Sequence, residues 1–265
     1  MRNSDVISRD DLALAAAALL DRLHTQSPKV HCITNAVAQN FTANVLLAAG
    51  CVPSMTLSPE DIAPFVAGSN ALLVNLGTFD RERRQATGIA IETVLQNNLP
   101  WLLDPVFVDR STQRLAYALE LIALTPKAVR LNRAEFSALA GSDPERATVT
   151  AYARDKKIVV ALSGETDLIT DGVRVATVAN GHPLMAKVTA MGCAASALMT
   201  ACLSVEPDAW CASVAALTMV GVAGELAAAQ AHGPGSFAVA IVDALHNLDG
   251  RTLAAKAQIE TAKVT

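Results

Sequence analysis

The sequence has 265 residues, of which 52% are hydrophobic and 17% charged, and its net charge at neutral pH is -4. The acidic balance and the lack of a basic stripe exclude a nucleic-acid-binding surface, and the large apolar share indicates a sizeable core. Length and composition predict one folded domain over residues 1–265.

The apolar stretches and the cysteines indicate the cellular compartment of the protein. The stretches at 194–203 and 209–231 are interrupted or too mild to predict a membrane-spanning helix. Charged residues precede the first apolar run, so we predict no secretory signal. The cysteines form no CxxC pair and no metal-ligand pattern, which is typical of reduced cytosolic thiols. They are Cys32, Cys51, Cys193, Cys202 and Cys211. We expect a soluble cytoplasmic protein with apolar surface left for an oligomer interface.

Apolar runs and amphipathic segments alternate along the chain and predict alternating strands and helices. The predicted helices cover about 10–26, 38–49, 80–97, 112–124, 192–204, 207–231 and 235–248, with shorter ones opening at Ser58 and Ala134. The predicted strands cover 30–34, 51–55, 70–75, 100–106, 128–132 and 158–162, followed by an antiparallel hairpin of 168–170 and 173–178. This order predicts an α/β domain with a largely parallel sheet.

Polar residues follow several of the predicted strands, and the carboxyl ends of parallel strands are where such sheets bind ligands. Asp104 ends a buried run and is a candidate to hold Mg²⁺ or water-bridged phosphate oxygens, or else a simple turn acid. Arg130 and Glu135 flank one strand-to-helix turn, where they suit phosphate neutralisation and a metal's surroundings, or else a solvated helix start. Ser163, before Gly164, offers a hydroxyl where backbone can approach a phosphate.

The stretch 187–202 reads as a polar turn that leads into a long helix of small apolar residues. Thr189 is an N-cap type of residue, and Gly192 permits a tight turn. A helix start with little side-chain bulk leaves its free N–H groups open to an anion, and Cys193 would have its thiol pKa lowered there. The alternatives are a buried helix that merely begins with Gly192 and Cys193, and a cysteine hydrolase with His31 or His232 as partner.

Eight short motifs follow one another in a fixed order along the chain. They are Val30-His31-Cys32-Ile33-Thr34-Asn35, Asn40-Phe41-Thr42-Ala43-Asn44, Leu76-Gly77-Thr78, Leu103-Asp104-Pro105-Val106, Arg130-Leu131-Asn132-Arg133-Ala134-Glu135, Ser163-Gly164-Glu165-Thr166-Asp167, Lys187 to Gly192-Cys193, and Gly233-Pro234-Gly235-Ser236-Phe237. From about residue 28 to 248 the set resembles the hydroxyethylthiazole kinases of thiamine biosynthesis, a ribokinase-like family. Related kinases of that superfamily carry Asp where Cys193 stands.

The resemblance implies a fold, an assembly and a reaction. The fold is a ribokinase-like three-layer α/β/α sandwich with a central, mostly parallel sheet, and the assembly is a homotrimer with active sites between neighbouring subunits. The reaction is the ATP- and Mg²⁺-dependent phosphorylation of the primary hydroxyl of 4-methyl-5-(2-hydroxyethyl)thiazole, in the salvage branch of thiamine biosynthesis. No nucleic acid or membrane partner is implied.

The resemblance also implies roles for the residues that match the family motifs. Asn35, Met55 and Ala190 contact the thiazole substrate, with Met55 as the flat apolar wall of its pocket. Arg130 and Ser163 contact ATP.

The remaining implied roles concern the transferring phosphoryl group. Asp104 and Glu135 serve Mg²⁺ and the triphosphate. Cys193 occupies the acid/base position against the substrate hydroxyl. The anion hole is formed by Ala190, Met191, Gly192 and Cys193.

The sequence departs from the family pattern at two informative places. Ala190 replaces the usual glycine, and its methyl group is expected either to narrow the site or to keep the turn out of positive φ. Bulky and charged residues occupy 107–110, where the family is rich in glycine and alanine. These departures leave two alternatives open: a sibling kinase for a hydroxymethylpyrimidine or pyridoxal-type alcohol, and a non-catalytic nucleotide- or metabolite-binding relative.

Overall fold

The computed structural model describes residues 8–263. Its helices are α1 (Arg9–Gln26), α2 (Gln39–Ala48), α3 (Ile62–Ala67), α4 (Arg81–Asn97), α5 (Thr112–Ile122), α6 (Arg133–Ala140), α7 (Arg146–Lys156), α8 (Met191–Val205), α9 (Ala209–Ala228), α10 (Pro234–His246) and α11 (Gly250–Lys256). Its strands are β1 (Lys29–Ile33), β2 (Val52–Ser54), β3 (Ala71–Asn75), β4 (Trp101–Asp104), β5 (Ala128–Asn132), β6 (Val159–Ser163), β7 (Asp167–Thr170), β8 (Arg174–Val178) and β9 (Ile259–Lys263).

The described strands form one sheet in the order β2-β1-β3-β4-β5-β6-β7-β8-β9. The strands from β2 to β6 pair in parallel, and β7, β8 and β9 extend the sheet in antiparallel fashion. Helices cover both faces, with α1, α2 and α8 to α11 on one face and α3 to α7 on the other. The three-layer α/β/α architecture predicted from the sequence is therefore confirmed.

Side chains on the parallel strands alternate between the two layers, as the period of two in a strand requires. Leu73 and Leu102 pack into the layer that holds α8, whereas Leu72 and Leu103 pack into the opposite layer. The last residues of the strands follow the same alternation. Their position in it determines whether their side chains face the α8 layer or the opposite layer.

Helix α9 is long and apolar enough, by length and composition alone, to cross a membrane. In the fold, 78% of its most apolar window is buried. It packs against α1, α8 and α10 and against the antiparallel part of the sheet, and this burial accounts for its composition.

The predicted elements are confirmed with small shifts at their ends, but three elements were missed. Helix α7 carries charged and β-branched residues and buries only Val149, Thr150 and Ala153, so its helical pattern is weak. Helix α11 lies beyond the last predicted element, at 248, and buries only Leu253. Strand β9 is short and polar, and it exists because β8 offers a free edge to pair with.

His31 on β1 is fully buried and ties the edge strand to the loop that follows it. Its Nε2 lies 3.1 Å from the carbonyl oxygen of Thr56, and its Nδ1 lies 2.8 Å from the hydroxyl of Ser54. A carbonyl only accepts, so Nε2 carries the proton and Nδ1 accepts from Ser54. Burial lowers the pKa of His31 to about 4, which keeps the ring neutral in the folded protein.

We expect the parent to lose more stability on moving to mild acid than a variant that lacks the imidazole of His31. Between its unfolded pKa of 6.5 and its folded pKa of about 4, the unfolded chain binds a proton that the folded chain does not. The free energy of unfolding should therefore fall by about 2 kcal/mol from pH 7.5 to pH 5.0 because of this residue.

Urea unfolding of the parent and of His31→Gln at both pH values measures this effect. The difference between the two proteins is the quantity to read, because buried Asp104, with a pKa raised to about 6, has the opposite dependence on pH. Equal changes in the two proteins would contradict a neutral, buried His31.

Candidate active site

Helix α8 begins at Met191 with its amino end uncapped. The capping position is Ala190, in the left-handed conformation at φ 68°, and in the described chain no side chain caps the helix. Thr189 is thus not the N-cap that the sequence predicted. The expectation that the methyl group would keep the turn out of positive φ is also wrong, although this conformation costs an alanine roughly 1 kcal/mol. The first N–H groups and the positive end of the helix dipole remain available.

Four polar residues at the ends of neighbouring strands face this helix. Asn75, Asp104, Arg130 and Ser163 each stand an even number of positions after an apolar residue that packs toward α8. Asn75 pairs in register with Asp104 across β3 and β4, and Asn132 pairs with Ser163 across β5 and β6. The parallel register therefore gathers side chains that are far apart in sequence at one edge of the sheet.

Asp104 is buried and linked to Cys193 through one amide group. Its Oδ2 accepts hydrogen bonds of 2.8 Å from Asn75 Nδ2 and of 2.8 Å from the hydroxyl of Ser196 on α8. Asn75 Nδ2 also donates to Cys193 Sγ at 3.3 Å, so one amide bridges the carboxylate and the thiol. Sequence reasoning missed Asn75 and Ser196. The signal for Asn75 was its position at the end of a buried run, directly before the Leu76-Gly77-Thr78 motif.

Asn35, from the loop after β1, completes the surroundings of the thiol. Its Nδ2 donates to Cys193 Sγ at 3.3 Å, and its Oδ1 accepts from the backbone N–H of Ala38. Gly77 packs so closely that a Cβ there would lie 2.6 Å from Asn35 Nδ2 and 2.9 Å from Asn75 Oδ1. A glycine is therefore required at position 77 for both amides to reach the sulfur.

The pKa values of Asp104 and Cys193 are both raised. Burial raises the pKa of Asp104 to about 6; Glu135 adds to the rise, while Arg130 and the hydrogen bonds from Ser196 and Asn75 oppose it. Burial and then the charge of Asp104 raise the pKa of Cys193 to about 11, although the two asparagine donors oppose the shift. The sequence-based expectation of a lowered thiol pKa is wrong, because desolvation outweighs the helix end.

Neither histidine proposed as a catalytic partner of Cys193 forms a hydrogen bond with its thiol. Both ring nitrogens of His31 are used by Ser54 and Thr56. Among residues 8–263, the hydrogen bonds to Cys193 Sγ come from Asn35 and Asn75, and none involves His232. The geometry therefore disfavours a cysteine hydrolase.

Arg130 lies beside the amino end of α8. A Cβ built at Gly192 would lie 3.1 Å from its Nη1, so the guanidinium covers that glycine closely. Its charge acts on both Asp104 and Asp167. Its Nε is buried and, within the part of the chain described, has no hydrogen-bond partner. A buried guanidinium N–H without a partner next to a free helix end is the arrangement that an anion satisfies.

Glu135 is buried and forms hydrogen bonds through both carboxylate oxygens. Oε2 accepts from the backbone N–H of Asn132, which completes a capping box at the start of α6, and Oε1 accepts from the backbone N–H of Phe107. Phe107 itself has a φ of 61°, so Glu135 fixes a turn that has an unusual backbone. Its negative charge still acts on Asp104.

A cavity of about 670 Å³ lies between the strand ends, the segment 179–186, α8 and α9. Arg130 and Ser163 line it together with Met191 and Gly192, so these four predicted residues share one space. The Ser163 hydroxyl donates to the carbonyl oxygen of Leu131 at 3.2 Å, which leaves its oxygen free to accept.

The other predicted residues are not part of the lining of this cavity. Asn35, Asp104 and Cys193 belong to the hydrogen-bonded group around the Cys193 thiol, near the amino end of α8. Met55 follows edge strand β2 and is half-buried against the core on the α8 side. The role of Met55 in a substrate pocket stays a prediction.

The comparisons with known proteins agree on one family. The model of the hydroxyethylthiazole kinase family matches residues 20–251. A probable hydroxyethylthiazole kinase of Agrobacterium fabrum is 44% identical over 248 residues, which cover 94% of this chain and 96% of that protein. The structure of a hydroxyethylthiazole kinase protein from Pyrococcus horikoshii superposes with a TM-score of 0.90 at 32% identity and covers 94% of this chain and 99% of its own.

A more distant structure supports the fold alone. A ribokinase-like superfamily protein from Enterococcus faecalis superposes with a TM-score of 0.64 at 12% identity, over 84% of this chain and 88% of that one. The ribokinase-like description of the three-layer sandwich is therefore confirmed.

We expect Cys193 to react slowly with iodoacetamide at neutral pH. With a pKa near 11, the thiolate fraction and hence the rate should rise about tenfold per pH unit from 7.5 to 9.5, without a plateau. Asp104→Asn should speed the reaction, because it removes a negative charge that opposes the thiolate.

Peptide mass spectrometry after timed alkylation resolves Cys193 from the other four cysteines. A synthetic peptide with the same local sequence serves as the control and should level off near an ordinary thiol pKa of about 8.5. A plateau below pH 9 in the folded parent would show that the helix end, rather than burial, dominates the thiol.

Proposed function

This chain belongs to the hydroxyethylthiazole kinase family, and from that premise we propose that it transfers the γ-phosphoryl group of ATP to the hydroxyethyl group of 4-methyl-5-(2-hydroxyethyl)thiazole, with Mg²⁺. The family and the order of the site motifs support the choice of acceptor. The product is the phosphorylated thiazole that the salvage branch of thiamine biosynthesis uses. The five free cysteines support a cytoplasmic enzyme.

The observation that carries the proposal is the pairing of Arg130 with the open amino end of α8 in one cavity. The cavity has room for a nucleotide, and its lining includes the guanidinium, the hydroxyl of Ser163 and the backbone of Met191 and Gly192. An unpartnered buried N–H on Arg130 and uncapped helix amides offer several donors to one anion. Phosphoryl transfer needs such an array, because charge must be neutralised on the transferring group.

The residues present fit a magnesium ion that is bound mainly by its nucleotide. Within residues 8–263 no cluster of three or more His, Cys, Asp and Glu side chains is arranged to hold a metal. Asp104 offers a hard oxygen ligand, and its raised pKa reflects a buried charge that a cation would favour. Mg²⁺ typically takes one or two carboxylates and completes its shell with water and phosphate oxygens. Asp104 would hold it, and bound Mg²⁺ would offset negative charge on the phosphates.

Glu135 affects the site indirectly, through its charge and through the backbone that it fixes. Both of its oxygens already accept backbone N–H groups, so it adds negative charge to the site while it fixes the start of α6 and the turn at Phe107. Its contribution is to the electrostatic field around Asp104, in keeping with its predicted place near the metal.

The protein's own residues position the reactants and neutralise charge. Arg130 and the amides of the anion hole, Ala190 to Cys193, hold the triphosphate end and stabilise charge on its equatorial oxygens as the bond to the leaving ADP lengthens. Cys193, held by Asn35 and Asn75, lies where the substrate hydroxyl must lose its proton. With a loose transition state the proton leaves late, and the thiolate form of Cys193 accepts it. The raised pKa makes that form a small fraction at neutral pH, so the thiol assists the reaction without limiting it.

The acceptor pocket is the less complete part of the site within one chain. Asn35 donates a hydrogen bond to the thiol, whereas Met55 follows edge strand β2 and is half-buried against the core. The free edge of the sheet at β2 is flanked by exposed apolar side chains from three elements. They are Leu47, Val52 and Phe65. We propose that this edge is covered in a homotrimer, with the acceptor pocket between neighbouring subunits.

The function is tested by coupled ADP release from ATP with the hydroxyethylthiazole, with and without Mg²⁺. We expect Mg²⁺-dependent turnover. Cys193→Ala should lower kcat about ten- to a hundredfold, the usual worth of a positioned acid/base group. Asp104→Ala should lower kcat further, because it removes the metal's protein ligand. Cys211→Ala, which removes a half-buried thiol on α9, is the matched control and should keep parental activity.

Three outcomes would contradict this assignment. Faster turnover of a hydroxymethylpyrimidine or a pyridoxal-type alcohol in the same panel would indicate a sibling kinase. Saturable ATP binding in a calorimeter with no ADP release on any alcohol would indicate a non-catalytic relative. Unchanged dependence on Mg²⁺ in Asp104→Ala would remove the metal role from that residue.

Sedimentation equilibrium tests the proposed trimer. We expect a mass of three times the 27.6 kDa chain. Val52→Lys, which places a charge on the free edge of β2, should shift the mass toward the single chain and reduce thiazole turnover with it. Val173→Lys alters a still more exposed valine in the hairpin turn between β7 and β8 and should leave the mass unchanged. A monomeric, fully active parent would contradict the shared pocket.

A further inference from the structure

The segment 179–187 forms one wall of the nucleotide cavity without belonging to the sheet. It connects β8 to α8, and its lining residues include Asn180, Gly181, Pro183 and Met185. Its only regular structure is a short 3-10 helix, Pro183–Lys187. The position of this wall must therefore come from the elements around it, which are α9, α10 and the connection between α11 and β9.

The anchor on α9 is the carboxylate of Glu225. Its Oε1 accepts from Asn180 Nδ2 at 2.9 Å and from the backbone N–H of Gly181 at 3.1 Å, so it binds two successive residues of the wall. Gln258 Nε2 donates to the same oxygen at 3.2 Å. Three donors converge on one carboxylate oxygen, which fixes the first part of the wall in one place.

Every polar atom of the Asn180 side chain forms a hydrogen bond with another part of the protein. Besides Glu225, its Nδ2 donates to the carbonyl oxygen of Lys256 at 2.9 Å, and its Oδ1 accepts from the backbone N–H of Gln258 at 2.7 Å. The residue is buried, and its amide is fully occupied by protein groups. Asn180 therefore lines the cavity without being free to bind a nucleotide through its amide, which indicates a structural task for it.

Two glycines on α9 let the wall lie against the helix. A Cβ on Gly221 would lie 2.6 Å from both the Cβ and the carbonyl oxygen of Asn180. A Cβ on Gly224 would lie 2.6 Å from Met185 Sδ. Any larger residue at position 221 would collide with backbone, whereas at position 224 it would displace only the end of a flexible side chain.

This packing sets the width of an apolar slot. Leu217 and Val220 of α9 and Met185 of the wall all line the cavity. A flat heterocycle bound in the slot would contact apolar groups on both sides, and its fit would depend on how far the wall stands from α9.

We propose that Glu225 is a positioning residue for the base of the nucleoside triphosphate. It holds the 179–187 wall at the distance from α9 at which the base is bound, and Gly221 and Gly224 allow the wall to come that close. The proposal rests on the proposed kinase function. Glu225 acts through the wall and has no part in the transfer step, since its bonds go to Asn180, Gly181 and Gln258. Its loss should weaken nucleotide binding and spare the chemistry.

The test compares Glu225→Ala with Glu225→Gln in steady-state kinetics and in calorimetric binding of ATP alone. Glu225→Ala should raise KM for ATP about tenfold or more, the usual effect of losing one half-buried charged acceptor that holds several donors. Its kcat and its KM for the thiazole should stay within about threefold of the parent. Glu225→Gln keeps an acceptor oxygen and should restore most of the affinity. Gln258→Ala is the matched control, because it removes one side-chain donor to Glu225 and keeps the backbone bond from residue 258 to Asn180.

Gly224→Ala keeps the proposal testable if Glu225→Ala does not fold, because its new methyl group meets only the flexible side chain of Met185. It should change the affinity for ATP several-fold and leave kcat unaltered. Unchanged ATP affinity in both folded variants would overturn the proposal, and so would equal losses in kcat and in thiazole KM. If the parent binds ATP but phosphorylates nothing, the kinase function fails while calorimetry still decides the role of Glu225.

Discussion

The amino end of α8, held open by Ala190 in the left-handed conformation, is the constraint on which the site depends. A side chain that capped the helix would satisfy its first N–H groups internally and leave nothing for an anion. The backbone conformation costs alanine more than glycine, and the packing of the long buried helix behind it offsets that cost. Arg130 lies against this helix end with a buried N–H that lacks a partner. Positive potential therefore accumulates at one corner of the cavity, where a triphosphate would be stabilised.

Next to that corner the structure concentrates negative charge that water cannot reach. Asp104 is buried and held by neutral donors, so its charge is costly in the absence of a cation. The same field makes Cys193 a weak acid. A thiolate beside Asp104 would add one buried anion to another, and two amide donors only partly offset this. In the proposed reaction, positioning and charge neutralisation therefore supply most of the catalysis, and Cys193 assists without being a pre-formed base.

The two ends of the substrate space are held by different helices. Helix α8 carries the free N–H groups, the thiol and Ser196, and it is fixed against β3 and β4. Helix α9 supports the cavity wall 179–187 through Glu225 and its glycines. In the proposed function, this division separates the groups that act on the transferring phosphoryl from the groups that bind the rest of the nucleotide. Changes in nucleotide affinity and changes in chemistry can therefore arise independently.

The local sequence determined three features: the α/β class, the polar residues at the strand ends and the small residues at the start of α8. Each of them depends on hydrophobic periodicity, turn chemistry or helix propensity within a short stretch of residues. The motifs also determined the family. Tertiary structure decided the remainder. Strand β9 forms only because β8 has a free edge, and Asn75 meets Asp104 and Cys193 only through the register of β3 with β4 and the approach of α8. The raised pKa of Cys193 likewise comes from burial and a neighbour 89 positions away, Asp104. Desolvation and contacts between distant segments act across the whole fold, so no window of the sequence contains them.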